Sequence, residues 1–215
     1  MGSAWARLTW SKALFGLFVA NLVWTASLFL GPFSITPGSF FDEDRGGANV
    51  LDFGATWETF SLPARIVYTF GDIQCHQMAT RSFTLNGNQM PIDARMTSMY
   101  VFANLGVVAA MFARPASATG AVLLSGLPGP LRRALGRFGP ERAGALVVFV
   151  GLLPIAMDGF TQLFGWREST NLLRVITGAP GGFVGGLLVG AMLVSVRQLG
   201  IEIDAMRARN RTPAP

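Results

Sequence analysis

One cysteine and one histidine stand in 215 residues, and that scarcity excludes a good deal of chemistry. A single cysteine rules out an intramolecular disulfide and any Cys-x-x-Cys redox or zinc motif. A single histidine excludes bis-histidine heme ligation and Cys-x-x-Cys-His is absent, so a heme held by that histidine with a methionine is conceivable but poorly supported. Charge is scarce as well. Asp, Glu, Lys and Arg make up 13% of the chain while 51% of it is hydrophobic, about half the charge of an average soluble domain. The balance reads as a membrane protein. Seventeen basic residues against twelve acidic give a formal +5, which in a soluble protein would suggest nucleic acid. Here the placement of the charges argues against a nucleic-acid partner and for the lipid bilayer.

Four stretches are apolar enough to cross a bilayer, near residues 13–30, 97–113, 143–157 and 178–196. The first has basic flanks in Arg7 and Lys12 and no small-x-small pattern after Leu30, so it reads as a retained signal anchor. The second and third are short for a ~30 Å hydrocarbon core at 1.5 Å per residue, and each is expected to extend by about a turn, with flanking arginines snorkelling. If the N-terminus is cytoplasmic, the inner segments are 1–12, the loop 114–142 and the tail 197–215, holding eleven of the seventeen basic residues and three of the twelve acidic ones. The positive-inside rule then places both termini in the cytoplasm. The arginines of the loop and tail are expected to touch anionic headgroups.

The expectation is a single all-α membrane domain over 1–215, four spans with an additional interfacial or re-entrant helix on the outer face. The outer segment 32–96 begins as loop, around Gly31, Pro32, Pro37 and Gly38 and then Asp42 to Gly47, with no sign of chemistry. From Ser61, Ile66, Val67, Phe70 and Ile73 recur at helical spacing behind Pro63, predicting the extra helix. Gly126 to Gly139 reads as loop, and the last six residues as disordered. Gly178, Gly182, Gly186 and Gly190 form a four-residue glycine repeat that predicts close packing of the fourth span against a neighbour, within the chain or in another subunit. Gly178-Ala179-Pro180-Gly181 predicts a break there, with a short capped helix ahead of it.

The chemistry-bearing residues gather in the outer segments. Cys75 and His76 are adjacent, and a helix continuing through residue 76 would place Asp72, Cys75 and His76 at i, i+3 and i+4 on one face. Thiolate, imidazole and carboxylate together suit zinc or iron, so Cys75, His76, Asp72, Asp93 and Asp158 form a candidate metal set; Met78, Met90 and Met96 would turn the preference toward copper. Around them stand Arg81, Gln89, Arg95, Gln162, Arg167, Glu168, Asn171 and Arg174. Charges at helix ends in a membrane are costly unless paired, so a salt-bridged cluster that closes the bundle is as natural a reading as a site. Cys75 as nucleophile lacks a base, since residues i and i+1 diverge on a helix. Asp93 and Asp158 as acid and base would make an interfacial hydrolase. A non-catalytic accessory subunit, packing through the glycine face, is the alternative.

Cys75-His76-Gln77, Arg81-Ser82-Phe83, Gln89-Met90-Pro91, Arg95, Asp158-Gly159, Thr161-Gln162 and Gly165 with Arg167-Glu168-Ser169-Thr170-Asn171 and Arg174 resemble an uncharacterised prokaryotic membrane-protein family, domain of unknown function family 2085. The resemblance covers roughly residues 70–195. It implies a helical membrane fold and no particular reaction. It also implies cysteines, in many members, where this chain has Asp93 and Met96, and with the Cys-His pair those would make a metal or thiol site. A carboxylate and a thioether are a different donor set from two thiolates.

Overall fold

The computed structural model describes residues 8–41, 51 and 53–211. Asp42 to Val50, which include the loop read at Asp42 to Gly47, and Thr212 to Pro215, in the tail read as disordered, lie outside the described residues. Among the described residues stand eight α-helices, α1 (Lys12–Leu30), α2 (Gly54–Trp57), α3 (Leu62–Gln74), α4 (Ala94–Phe112), α5 (Thr119–Ser125), α6 (Gly129–Gly136), α7 (Pro140–Leu163) and α8 (Asn171–Arg211), with one hairpin, β1 (Ser82–Leu85) and β2 (Asn88–Asp93). Four of the helices are long and apolar enough to span a membrane, α1, α4, α7 and α8. The all-α membrane expectation holds.

Three local expectations do not. No break interrupts the fourth span: α8 runs unbroken through Gly178 and Pro180 for 41 residues. A proline removes one backbone donor, which a long helix tolerates when neighbouring turns are held, and Gly178 and Gly182 hold them by lying against α4. The loop read at Gly126 to Gly139 contains α6, because Pro130 opens a helix and Leu131, Arg132, Arg133, Ala134 and Leu135 all favour one. The helix that begins behind Ser61 stops at Gln74, where Cys75 turns to extended backbone (φ −143°, ψ 147°).

The chain divides into two compact units. One comprises 1–19, 103–153 and 183–215, and its core is aliphatic, with Leu14, Val107, Met111, Val122, Leu123, Leu187 and Val194 all buried. Close backbone approach replaces polar bonding here: a Cβ on Gly186 would strike the Ala103 carbonyl oxygen, and one on Gly190 would stand 2.5 Å from Ala110 Cβ.

The other unit comprises 20–102 and 154–182, and it contains the hairpin. The turn is Asn86-Gly87, both at positive φ (54° and 73°), which is the type I′ geometry that matches strand twist. β2 is buried along Asn88–Ile92, although strands so polar usually lie at a surface. Its polar groups find partners: Asn88 Nδ2 donates to the Pro32 and Thr36 carbonyls at 2.9 and 3.1 Å, Asn88 Oδ1 accepts from Phe40 N–H at 3.0 Å, and Tyr68 O–H donates to the Gln89 carbonyl at 2.6 Å. Gly71 of α3 lets the hairpin in, since any side chain there would meet the Pro91 carbonyl. In this unit Gly178 and Gly182 lie against Arg95 and Met99 of α4 in the same way.

Candidate functional site

α3 is two-faced. Ala64, Val67, Tyr68, Gly71 and Asp72 are buried, while Leu62, Ile66, Phe70 and Ile73 are exposed. The buried face meets an aromatic cluster of Phe40, Phe53, Phe60, Trp57 and Tyr68, with ring centroids 5.2–5.6 Å apart. Asp72 is fully buried at that cluster. Its Oδ2 accepts from Phe53 N–H at 3.0 Å and from the Trp57 indole N–H at 2.8 Å. Those bonds commit Asp72 to holding α2 against α3, away from the sulfur. Tyr68, in the same place, has its phenol pushed above its ordinary range by burial.

Cys75 sits where α3 ends. Its Sγ accepts the N–H groups of Gln77 at 3.5 Å and Asp93 at 3.3 Å. It packs with Leu28, Val67, Met90 and Ile92, and Met96 lies against the same cluster. Asp93 therefore meets Cys75 directly, and Met96 lies against the cluster around it. Burial first, and then the Asp93 carboxylate, push the thiol up to about 12 from an ordinary value near 9. A protonated thiol beside a carboxylate is a poor metal ligand and a poor nucleophile.

His76 is exposed and Gln77 is buried. Gln77 takes left-handed backbone (φ 48°), a strain of about 1 kcal/mol or more for a residue with a side chain. Its side-chain amide compensates, donating to the Tyr68 carbonyl at 3.1 Å and the Pro91 carbonyl at 2.7 Å, while the Gln77 backbone carbonyl accepts from Gln89 Nε2. Gln89 thus ties the Cys-His-Gln corner to the hairpin.

The arginines form a second centre. Asp158 on α7 is buried; its Oδ2 takes Arg95 Nη2 at 2.5 Å and Thr177 O–H at 3.3 Å, and its Oδ1 lies 3.9 Å from Arg167. Gln162 Nε2 donates to the Asp158 carbonyl at 2.9 Å. Arg174, on the first turn of α8, is 3% exposed and donates to Asn171 Oδ1 at 2.9 Å. Arg81 and Arg95 lie within its electrostatic reach, as do Asp93 and Asp158. Arg81 approaches Glu168 only to 4.0 Å, and Asn171 Nδ2 fixes the α8 terminus to the Ser82 carbonyl at 3.1 Å. Ser169 Oγ is buried with no hydrogen-bond partner among the described residues. Asp93 is occupied as a helix cap, its Oδ1 accepting from Met96 N–H at 2.7 Å.

The five candidate metal ligands are thus dispersed: Asp72 to the aromatic cluster, Asp158 to the arginines, His76 to the exterior, and only Cys75 and Asp93 to each other. Among the described residues no group of three or more His, Cys, Asp and Glu side chains could hold a metal ion. The glycine face of α8 is occupied within the chain by α4. Sequence reasoning named every arginine of the second centre but missed the hairpin and the buried Asn88. The signal was present in Asn86-Gly87 between two short runs with β-forming residues.

The family described as predicted membrane protein (DUF2085) matches residues 75–188. An uncharacterised protein of Methanocaldococcus jannaschii is 29% identical over 167 residues, 78% of this chain and 83% of that protein. Another uncharacterised protein, from Methanothermobacter thermautotrophicus, is 34% identical over 108 residues, 50% of this chain and 77% of its own length. No solved structure matches. The matched range takes in Cys75, the hairpin, Asp158 and Arg174.

Proposed function

The chain belongs to the predicted membrane protein family DUF2085, and from this geometry we propose that it is a membrane protein that binds an oxyanion, a phosphate or carboxylate group, at the centre formed by Arg81, Arg95, Arg167 and Arg174. The membrane is the cytoplasmic membrane, with both termini inside and this centre on the outer side. One observation carries the reading: Arg174 is buried on a membrane helix with a neutral amide as its hydrogen-bonded partner and two further arginines in reach, while the two carboxylates in reach are already engaged, Asp93 as the cap of α4 and Asp158 with Arg95. Like charges crowded in a low-dielectric site are costly unless an anion joins them. Guanidinium forks match the oxygens of phosphate and carboxylate two at a time. The α8 N-terminus adds its dipole, and Ser169 offers a buried hydroxyl with bonding capacity to spare.

Asp158 orients Arg95 within this centre and prevents the cations from dispersing. The metal reading has less support, because its donors point to separate places and the one thiol is held protonated. The accessory-subunit reading loses its surface, since α4 already covers the glycines.

The test is titration of the protein in zwitterionic nanodiscs with inorganic phosphate and with acetate, followed by intrinsic tryptophan fluorescence and thermal unfolding. Wild type should respond saturably, and Arg174→Gln should weaken binding by about tenfold, or ~1.4 kcal/mol. Arg81→Gln, on a part-exposed side chain less able to disturb folding, should weaken it severalfold. A response that is absent in wild type, or identical in both variants, removes the proposal.

A further inference from the structure

We infer that a cavity in the aliphatic unit is a binding site for an anionic phospholipid. The cavity, of about 560 Å³, is lined by Trp10, Leu14, Met111, Arg114, Arg132 and Val194, among others. Its floor is apolar, for Leu14, Met111 and Val194 belong to the buried aliphatic core. Cations stand at its edge: Arg114 follows the end of α4, Arg132 projects from α6, and the Arg197 guanidinium lies 4.8 Å over the Trp10 ring. Among the described residues no carboxylate pairs with any of these three arginines.

The helix beside the cavity gives an independent indication. α6 buries none of its residues. Leu131 and, just past the helix, Phe138 are exposed, alongside Arg133 and Arg137, and Arg132 between them is half-buried. Exposed apolar and basic residues on one short segment suit the headgroup boundary of a bilayer, where the ring and the aliphatic side chain sit in acyl chains and the guanidinium groups reach phosphate. α6 thus lies where lipid would meet the cavity.

The occupant follows from the two halves of the lining. A neutral lipid would fill the apolar floor and leave Arg114 and Arg132 without a counter-charge. A free anion would satisfy the arginines and leave the floor wetted. A phosphodiester carrying acyl chains and a net negative charge satisfies both. The residues involved are separate from those of the oxyanion centre, so either proposal can fail alone.

Native mass spectrometry of the full chain in mild detergent tests this with three probes: short-chain phosphatidylglycerol, short-chain phosphatidylcholine and inorganic phosphate. Wild type should retain one phosphatidylglycerol, with phosphatidylcholine at least about tenfold weaker. The Arg114→Gln/Arg132→Gln pair should lose at least about tenfold in phosphatidylglycerol affinity, and Arg132→Gln alone, on a surface helix, about threefold or more. Arg133→Gln/Arg137→Gln, which keeps the same net charge as the first pair, should bind as wild type, and so should Arg174→Gln. Equal loss in both pairs means diffuse surface attraction and overturns the site. Equal binding of phosphatidylcholine, or displacement of the lipid by inorganic phosphate, overturns the ligand.

Discussion

The two units solve the same problem, holding helices together in an apolar surrounding, by opposite means. In the unit of 1–19, 103–153 and 183–215, the buried polar side chains among the described residues are Ser11, Asn104 and Ser195, and none is charged. In the unit of 20–102 and 154–182 they include Asp72, Gln77, Asn88, Gln89, Asp158 and Arg174. The first relies on aliphatic packing and glycine contacts, which tolerate exchange of one apolar residue for another of similar size. The second relies on directed bonds whose partners must all be present, because a half-satisfied buried network is worse than none. Directed bonding to an oxyanion, as proposed for the arginine centre, calls for the second kind of construction.

The sharpest way to break that contrast is Asp158→Ala. It leaves Arg95 without its carboxylate and should cost about 3–5 kcal/mol, read as thermal unfolding in detergent. A loss below about 1 kcal/mol, the scale of an exposed pair, would mean that the arginines are solvated and the polar unit is not dry. Next comes Gly186→Val in the aliphatic unit. Overpacking against Ala103 should cost about 1–3 kcal/mol, whereas Leu187→Met, which keeps the volume, should cost less than about 1.5 kcal/mol.

The smallest effect is expected at the Cys-His pair. His76→Ala, on an exposed side chain, should change stability by no more than about 0.5 kcal/mol. Cys75 should resist alkylation at pH 9. Its thiol ionises in the unfolded chain near pH 9 but in the folded chain only near about 12, so the unfolded state binds fewer protons over that window. Stability should therefore fall as pH rises from 9 toward 12, and Cys75→Ala should flatten the fall. Asp93→Asn should speed alkylation by removing a charge that opposes thiolate formation. A thiol that reacts readily at pH 8 contradicts the burial of the corner.

Spans were legible because hydrophobicity needs no partner to be read. The apolar period of α3 was legible for the same reason, and so was the wealth of arginine around Asp158. Asp72 was not. Its spacing from Cys75 fits one helix face, but the helix ends at Gln74, and what decides the end is Gln77, whose side chain bonds Pro91 from fourteen residues away. α8 misled in the other direction: Gly178 to Gly181 has the composition of a break, and close packing on α4 keeps it helical. Long-range bonds outweighed local preference in both places. The hairpin lay closer to the surface of the sequence, since Asn86-Gly87 is a turn by its own chemistry.

The pairing of Arg95 with Asp158 has a consequence for the order in which the protein is made. The two residues are 63 positions apart, while the hairpin's partners at Pro32, Thr36 and Phe40 all precede it. As the chain leaves the ribosome, the corner at Cys75 and the hairpin can close on what has already been synthesised. Arg95, at the head of α4, must wait through α5, α6 and most of α7 before its carboxylate arrives. During that interval a guanidinium without its carboxylate stands at the head of α4, and it stays so until the second half of the chain supplies the partner.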